Sequence, residues 1–217
     1  MMLPRSLILS YYFTVVASHG FVKSVVVDGQ SYPGFDPNSD PYASPVPARV
    51  IRKIPSDGPG TCCSAEDCMQ SLNHCVVVTA MTSTDLTCNK GGQAGSSMSA
   101  NVKAGGTVVW EWNQWLSGTL ISVSHARSLL ISMADHLGPV STYMASCKGK
   151  CADVNLDSTT LSWFKIDEKA FDPSGSGSLG AGNGRWGTED LIANGDKWTS
   201  TVPAELTAGE YLMRHEA

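Results

Sequence analysis

Residues 100–113 (ANVKAGGTVVWEWN) constrain the fold of this chain more than any other stretch. After the Gly105-Gly106 turn, Val108, Trp110 and Trp112 alternate with Val109, Glu111 and Asn113. A period of two sends one set to one face and the other set to the opposite face, so the spacing predicts a half-buried strand. Similar text recurs along the chain. Residues 19–28 (HGFVKSVVVD) alternate and end at an Asp28-Gly29 turn signal. Residues 49–59 read as a short strand entering a turn, and residues 135–147 as β-like text with a bend at Gly138-Pro139. Residues 161–166 (LSWFKI), 198–202 and 209–216 (GEYLMRHE) read as further strands.

The connections have their own chemistry. Residues 31–47 (SYPGFDPNSDPYASPVP) are dense in Pro, Gly, Asp and Asn, which predicts a long irregular loop. Its aromatics Tyr32, Phe35 and Tyr42 suit either a recognition surface or packing of the loop onto its own domain. Residues 172–185 form a Gly/Ser-rich loop, and residues 186–194 (WGTEDLIAN) hold one helical turn. Short strands punctuated by turns predict an all-β, immunoglobulin-like or fibronectin-like sandwich with long loops. The 21 Gly and 11 Pro agree with that class better than with a helical bundle.

Residues 1–18 carry the marks of a secretory leader: Arg5, the short apolar run LILSYYFTVV, and small residues at Val16-Ala17-Ser18. Cleavage there leaves a domain of residues 19–217 with His19 at its N-terminus, secreted and extracellular. A terminal His offers an α-amine and an imidazole on one residue, and so grips a metal with both. The seven Cys are then disulfide candidates. Cys147 and Cys151, four apart around Gly149, predict a local bridge. The pairing of Cys62, Cys63, Cys68, Cys75 and Cys88 stays open, and a zinc site in the first four fits their spacing poorly. The net charge of -5 gives no footing for nucleic acid or an anionic membrane, and a monomer is expected.

Seven segments in order carry a resemblance: HGFV (19–22), TDLTCNKGG (84–92), VVWEWNQW (108–115), HLGPVSTYMASC (136–147), SWFKIDE (162–168), WGTEDLIAN (186–194) and WTSTVPAELTAGEYLMRHE (198–216). Together they resemble the fungal lytic polysaccharide monooxygenases of auxiliary activity family nine, formerly glycoside hydrolase family sixty-one. The resemblance implies one copper ion held by a histidine brace, with His19 binding through amine and ring and His136 as the second ligand. These two residues are the implied catalytic and metal-binding set, and nitrogen donors suit copper in either oxidation state. The implied reaction is oxidative cleavage of cellulose or a related β-1,4-glucan by hydroxylating a C–H bond beside the glycosidic link. It needs an external electron donor and O2 or H2O2, and no carboxylate pair of the hydrolytic kind.

His74, His125 and His215 are read as non-ligands, His215 as a structural strand residue. Against the family pattern, residues 60–80 and 116–134 are extra, and both are readable as translated intron or as surface loops. The chain stops at Ala217, where the family continues through a further His, a Gln, an axial Tyr and the Cys partner of Cys88. On that comparison the chain is C-terminally truncated, with poor folding and weak or no oxidation expected. The alternative class is a secreted, non-catalytic polysaccharide-binding sandwich, or an inactive product.

Overall fold

The computed structural model describes residues 21–36, 39–52, 96, 98–113, 137–154, 156, 161–177 and 184–217. Among these residues seven strands form two antiparallel sheets. The first has the order β2-β1-β3-β6, from β1 (Val22–Val27), β2 (Gln30–Pro33), β3 (Thr107–Trp112) and β6 (Lys197–Thr201). The second has the order β5-β4-β7, from β4 (Val140–Ser146), β5 (Trp163–Lys169) and β7 (Tyr211–Glu216). An α-helix, α1 (Gly187–Ala193), precedes β6. This is the expected all-β sandwich.

The tryptophan strand is central to its sheet. Val108, Trp110 and Trp112 are buried, as their spacing predicts, and they pack with Val25 and Val27 of β1. Val140 and Met144 close this core from the second sheet, with Leu191 of α1 and Val202 beside them. In β3 the opposite set faces out, and Glu111 there pairs with Lys197 at 2.7 Å and accepts a hydrogen bond from the Ser24 hydroxyl. These bonds hold the Glu111 carboxyl below its ordinary range, first through Lys197 and then through Ser24.

A second, smaller core lies on the other face of the β4-β5-β7 sheet. Leu212 alternates with Met213 and so points away from the main core, onto Cys151 and Leu156. The predicted Cys147–Cys151 bridge is present there, with Cα atoms 5.2 Å apart. The Glu210 carboxylate accepts the Cys151 N–H at 2.8 Å, so β7 and the bridged loop are held together at the strand's entry. Beyond it, the Arg214 guanidinium lies between the rings of Tyr143 and Trp163, 4.8 and 4.7 Å from their centroids.

Three local readings change. The hairpin at Asp28-Gly29 returns as β2, so Ser31, Tyr32 and Pro33 belong to a strand and the long loop starts later. Residues 49–52 form no strand; Arg49 instead holds the loop by a bidentate pair to buried Asp40, at 2.9 and 2.8 Å. That guanidinium keeps the Asp40 carboxyl below its ordinary range. The helix at α1 is seven residues, more than the single turn expected. A buried Glu189 supports it by accepting the Trp186 N–H at 2.8 Å, the reach-back half of a capping box.

Trp110 is buried in the main core and stacks on His215 of the other sheet. Trp110→Ala is expected to cost about 3–5 kcal/mol of unfolding free energy, measured by urea denaturation. Val109→Ala on the outward face is expected to cost about 1 kcal/mol or less by the same measurement.

Candidate functional site

His19 and His136 lie outside the described residues, as do His74 and His125, the segments 60–80 and 116–134, and Cys62, Cys63, Cys68, Cys75 and Cys88. The chain next to each implied ligand is described. Phe21, two residues after His19, enters β1 beside the end of β3. Its N–H donates to Asn113 Oδ1 at 2.5 Å, and its carbonyl accepts the Asn113 N–H at 2.9 Å. Gly138, two residues after His136, leads into β4. Its N–H donates to Thr188 Oγ1 at 3.0 Å, and its carbonyl accepts the Thr188 N–H at 3.1 Å. Thr188 is buried, 1% exposed.

The three aromatics of residues 31–47 have different surroundings. Phe35 is buried, and Tyr32 packs against the main core. Tyr42 is 85% exposed, so only this ring of the three is offered to the outside. It closes the 3-10 turn Asp40–Tyr42, whose first residue is the buried partner of Arg49.

A profile of Auxiliary Activity family 9 (formerly GH61) matches residues 19–217. The chain belongs to Auxiliary Activity family 9. It is 35% identical over 200 residues to the AA9 family lytic polysaccharide monooxygenase C of Geotrichum candidum, covering 92% of this chain and 29% of that protein. It is 35% identical over 204 residues to the AA9 family lytic polysaccharide monooxygenase I of Botryotinia fuckeliana, covering 94% of this chain and 61% of that protein. Among solved structures, that of HiLPMO9B superposes with a TM-score of 0.63 at 29% identity, covering 91% of this chain and 68% of that one. The extended catalytic domain of H. jecorina LPMO9A gives 0.58 at 27% identity, covering 91% and 63%. The chain spans between 29% and 64% of the length of the first three curated relatives it matches.

Within this AA9 chain, His215 is the one described histidine, and it is built into the core. Its ring stacks on Trp110, with centroids 4.9 Å apart and planes 6° apart, and touches Trp112 at 5.8 Å. A chain of polar contacts runs from it across the sandwich. Ser200 Oγ donates to Asp167 Oδ2 at 3.1 Å, and Trp198 Nε1 donates to the same oxygen at 2.7 Å. With its proton spent on the carboxylate, Ser200 must accept from Thr142 Oγ1, 2.8 Å away. Thr142 then has no proton left, so it accepts from His215 Nδ1–H at 2.9 Å. The ring is therefore the Nδ1–H tautomer. Its Nε2 is buried and has no hydrogen-bond partner among the described residues.

The structural reading of His215 in the family strand thus holds: it links β7, β4, β6 and β5. Among the described residues no three His, Cys, Asp or Glu side chains group to hold a metal. Sequence reasoning missed Asn113 and Thr188. Asn113 reads only as an outward strand position and Thr188 only as part of a helical turn. Their partners lie 92 and 50 residues away, a separation that no local pattern announces.

Burial holds the His215 ring neutral, with a pKa lowered from 6.5 to about 3. The unfolded chain therefore binds the extra proton between those values, and stability rises with pH across that window. The contribution is complete above pH 6.5 and is lost as pH falls toward 3, by about 1.4 kcal/mol per pH unit. His215→Phe keeps a ring against Trp110 and removes the titration. Urea unfolding of both proteins between pH 7 and 4 is expected to show the parent losing its advantage over the variant as pH drops. A difference that stays constant with pH would contradict a buried neutral ring.

Proposed function

We propose that this chain is a secreted, copper-dependent lytic polysaccharide monooxygenase. It acts on cellulose or a related β-1,4-glucan once the leader, residues 1–18, has been removed. The observation that carries the reading is the pair of tethered segments. The chain that follows His19 and the chain that follows His136 are each pinned by a reciprocal hydrogen-bond pair in a fold shared with family 9. The relatives that carry the monooxygenase name are similar over more than nine-tenths of this chain.

The donor set fits copper. Two imidazoles and one amine are neutral nitrogen ligands, which copper prefers over harder ions. The α-amine titrates near ~8, so metal binding deprotonates it without large cost. His19 supplies that amine only when the peptide bond from Ser18 is cut, and this makes the leader part of the chemistry. When bound, copper supplies the redox step by which an oxygen atom enters a strong C–H bond.

The balance is simple. With hydrogen peroxide, R–H and H2O2 give R–OH and water. With dioxygen, two electrons from an external donor and two protons are needed, and the second oxygen leaves as water. The hydroxylated carbon beside the glycosidic oxygen then expels it, and the chain breaks. The protein's own residues contribute position: Asn113 and Thr188 hold the backbone, and exposed Tyr42 offers a ring face for a pyranose to lie on.

Two measurements test this reading. Isothermal titration of the chain processed to begin at His19 is expected to show one copper ion per chain, with His136→Ala lowering affinity at least tenfold. Mass spectrometry of cellulose digests with reductant is expected to show oligosaccharides carrying one added oxygen. A secreted form that begins elsewhere than His19, or copper binding indifferent to His136, overturns the proposal. Tyr42→Ala is expected to weaken retention on cellulose severalfold and to leave copper affinity unchanged, measured by pull-down and titration.

A further inference from the structure

We infer that Asn113 and Thr188 are positioning residues for the metal centre, and that helix α1 is the strut joining them. The inference rests on the reading of His19 and His136 as the copper ligands.

Each residue does the same thing at a different place. Asn113 follows the last pair of the β1–β3 ladder, Val22 with Trp112. Its side-chain oxygen and its own N–H take both main-chain polar groups of Phe21. One residue thus extends the ladder by a rung. From Phe21 to His19 is two residues, so the tether acts within about 7 Å of chain. Thr188 does likewise for Gly138, taking its N–H with Oγ1 and its carbonyl with the Thr188 N–H. Only Leu137 separates that clamp from His136.

The two clamps are not independent. Gly187, the first residue of α1, is packed so closely that a Cβ there would lie 2.3 Å from the Lys169 carbonyl oxygen and 3.0 Å from the Val140 nitrogen. The start of the helix therefore rests directly on the backbones of β4 and β5. Three residues past its end Asp196, in the left-handed region at φ 61°, donates to the Leu191 carbonyl at 3.1 Å and accepts the Trp112 N–H at 2.9 Å. Trp112 immediately precedes Asn113. The middle of the helix is anchored in the core by fully buried Leu191. A single seven-residue helix thus ties the backbone after one ligand to the backbone after the other.

The physical need is plain. A ligand at a free chain terminus has no tether on its upstream side, so its position is set only from downstream. Metal sites of defined geometry require ligands held within about 0.5 Å, and loss of supporting hydrogen bonds costs about 10- to 100-fold in affinity. Both clamps supply hydrogen bonds to main chain two residues from the implied ligands.

The experiment uses the full chain processed to begin at His19, with Thr188→Val, Thr188→Ser, Asn113→Leu, His136→Ala and, as a destabilised control, Leu212→Ala in the second core. Copper(II) affinity, the copper electron paramagnetic resonance spectrum, the thermal midpoint and amide exchange of copper-free protein are measured for each. Thr188→Val keeps the buried shape and loses the acceptor. It is expected to speed exchange at Gly138, lower copper affinity about tenfold and broaden the copper spectrum. Asn113→Leu is expected to do the same with exchange at Phe21. Thr188→Ser is expected to restore affinity and spectrum, while Leu212→Ala lowers the midpoint and leaves both at the parental values. If Thr188→Val and Asn113→Leu exchange faster yet bind copper with parental affinity and spectrum, the positioning role is wrong. An affinity loss in Leu212→Ala matching that in Thr188→Val also overturns it, because general destabilisation would then suffice. If the parent binds no copper, or His136→Ala binds like the parent, the ligand reading fails instead.

Discussion

The structure depends on the contact between its two sheets at Trp110 and His215. Trp110 comes from the middle of one sheet and His215 from an outer strand of the other, and their rings lie parallel. Apolar burial brings the sheets together without direction. The polar chain from His215 through Thr142 and Ser200 to Asp167 adds direction, because each proton in it has one place to go. Such a satisfied buried network favours one register of sheet on sheet. A slip would leave Thr142 and Ser200, both fully buried, without partners, at about 1–3 kcal/mol each.

That fixed stacking sets how distant segments lie relative to one another. The entry to β1 and the entry to β4 belong to different sheets. Each would be an ordinary strand start if the sheets could slide. Helix α1 converts their relative position into a set of hydrogen bonds, with Thr188 near its start and Asp196 three residues past its end. The second core, with its Cys147–Cys151 bridge, steadies the opposite face of the β4-β5-β7 sheet. Its Glu210 and Arg214 contacts hold β7, the strand that carries His215. The two strand entries are thus tied into the fold through a few named bonds as well as through shared burial.

Much of this was legible in the residues. The Val108, Trp110, Trp112 alternation located the central strand and its buried face, because side-chain direction in a strand follows from spacing alone. The Cys147 and Cys151 spacing announced their bridge. The ordered set of seven segments announced family 9. Where local reading went astray, at Ser31 to Pro33 and at Arg49, a long-range partner overrode composition. Proline-rich text joined β1 as β2, and a basic residue read as strand was claimed by the buried Asp40.

By itself the sequence determined the class of fold, the strands' buried faces, the local disulfide and the family, since each is written in spacing or in an ordered set of motifs. Only the tertiary structure decided which proton His215 carries, which of three loop aromatics is left outside, and that Asn113 and Thr188 grip the chain beside the implied ligands. The last two contacts join atoms 92 and 50 residues apart in the chain and 2.5 and 3.0 Å apart in space. Periodicity and propensity act over a few residues, and nothing in them encodes which remote carbonyl a side chain will meet.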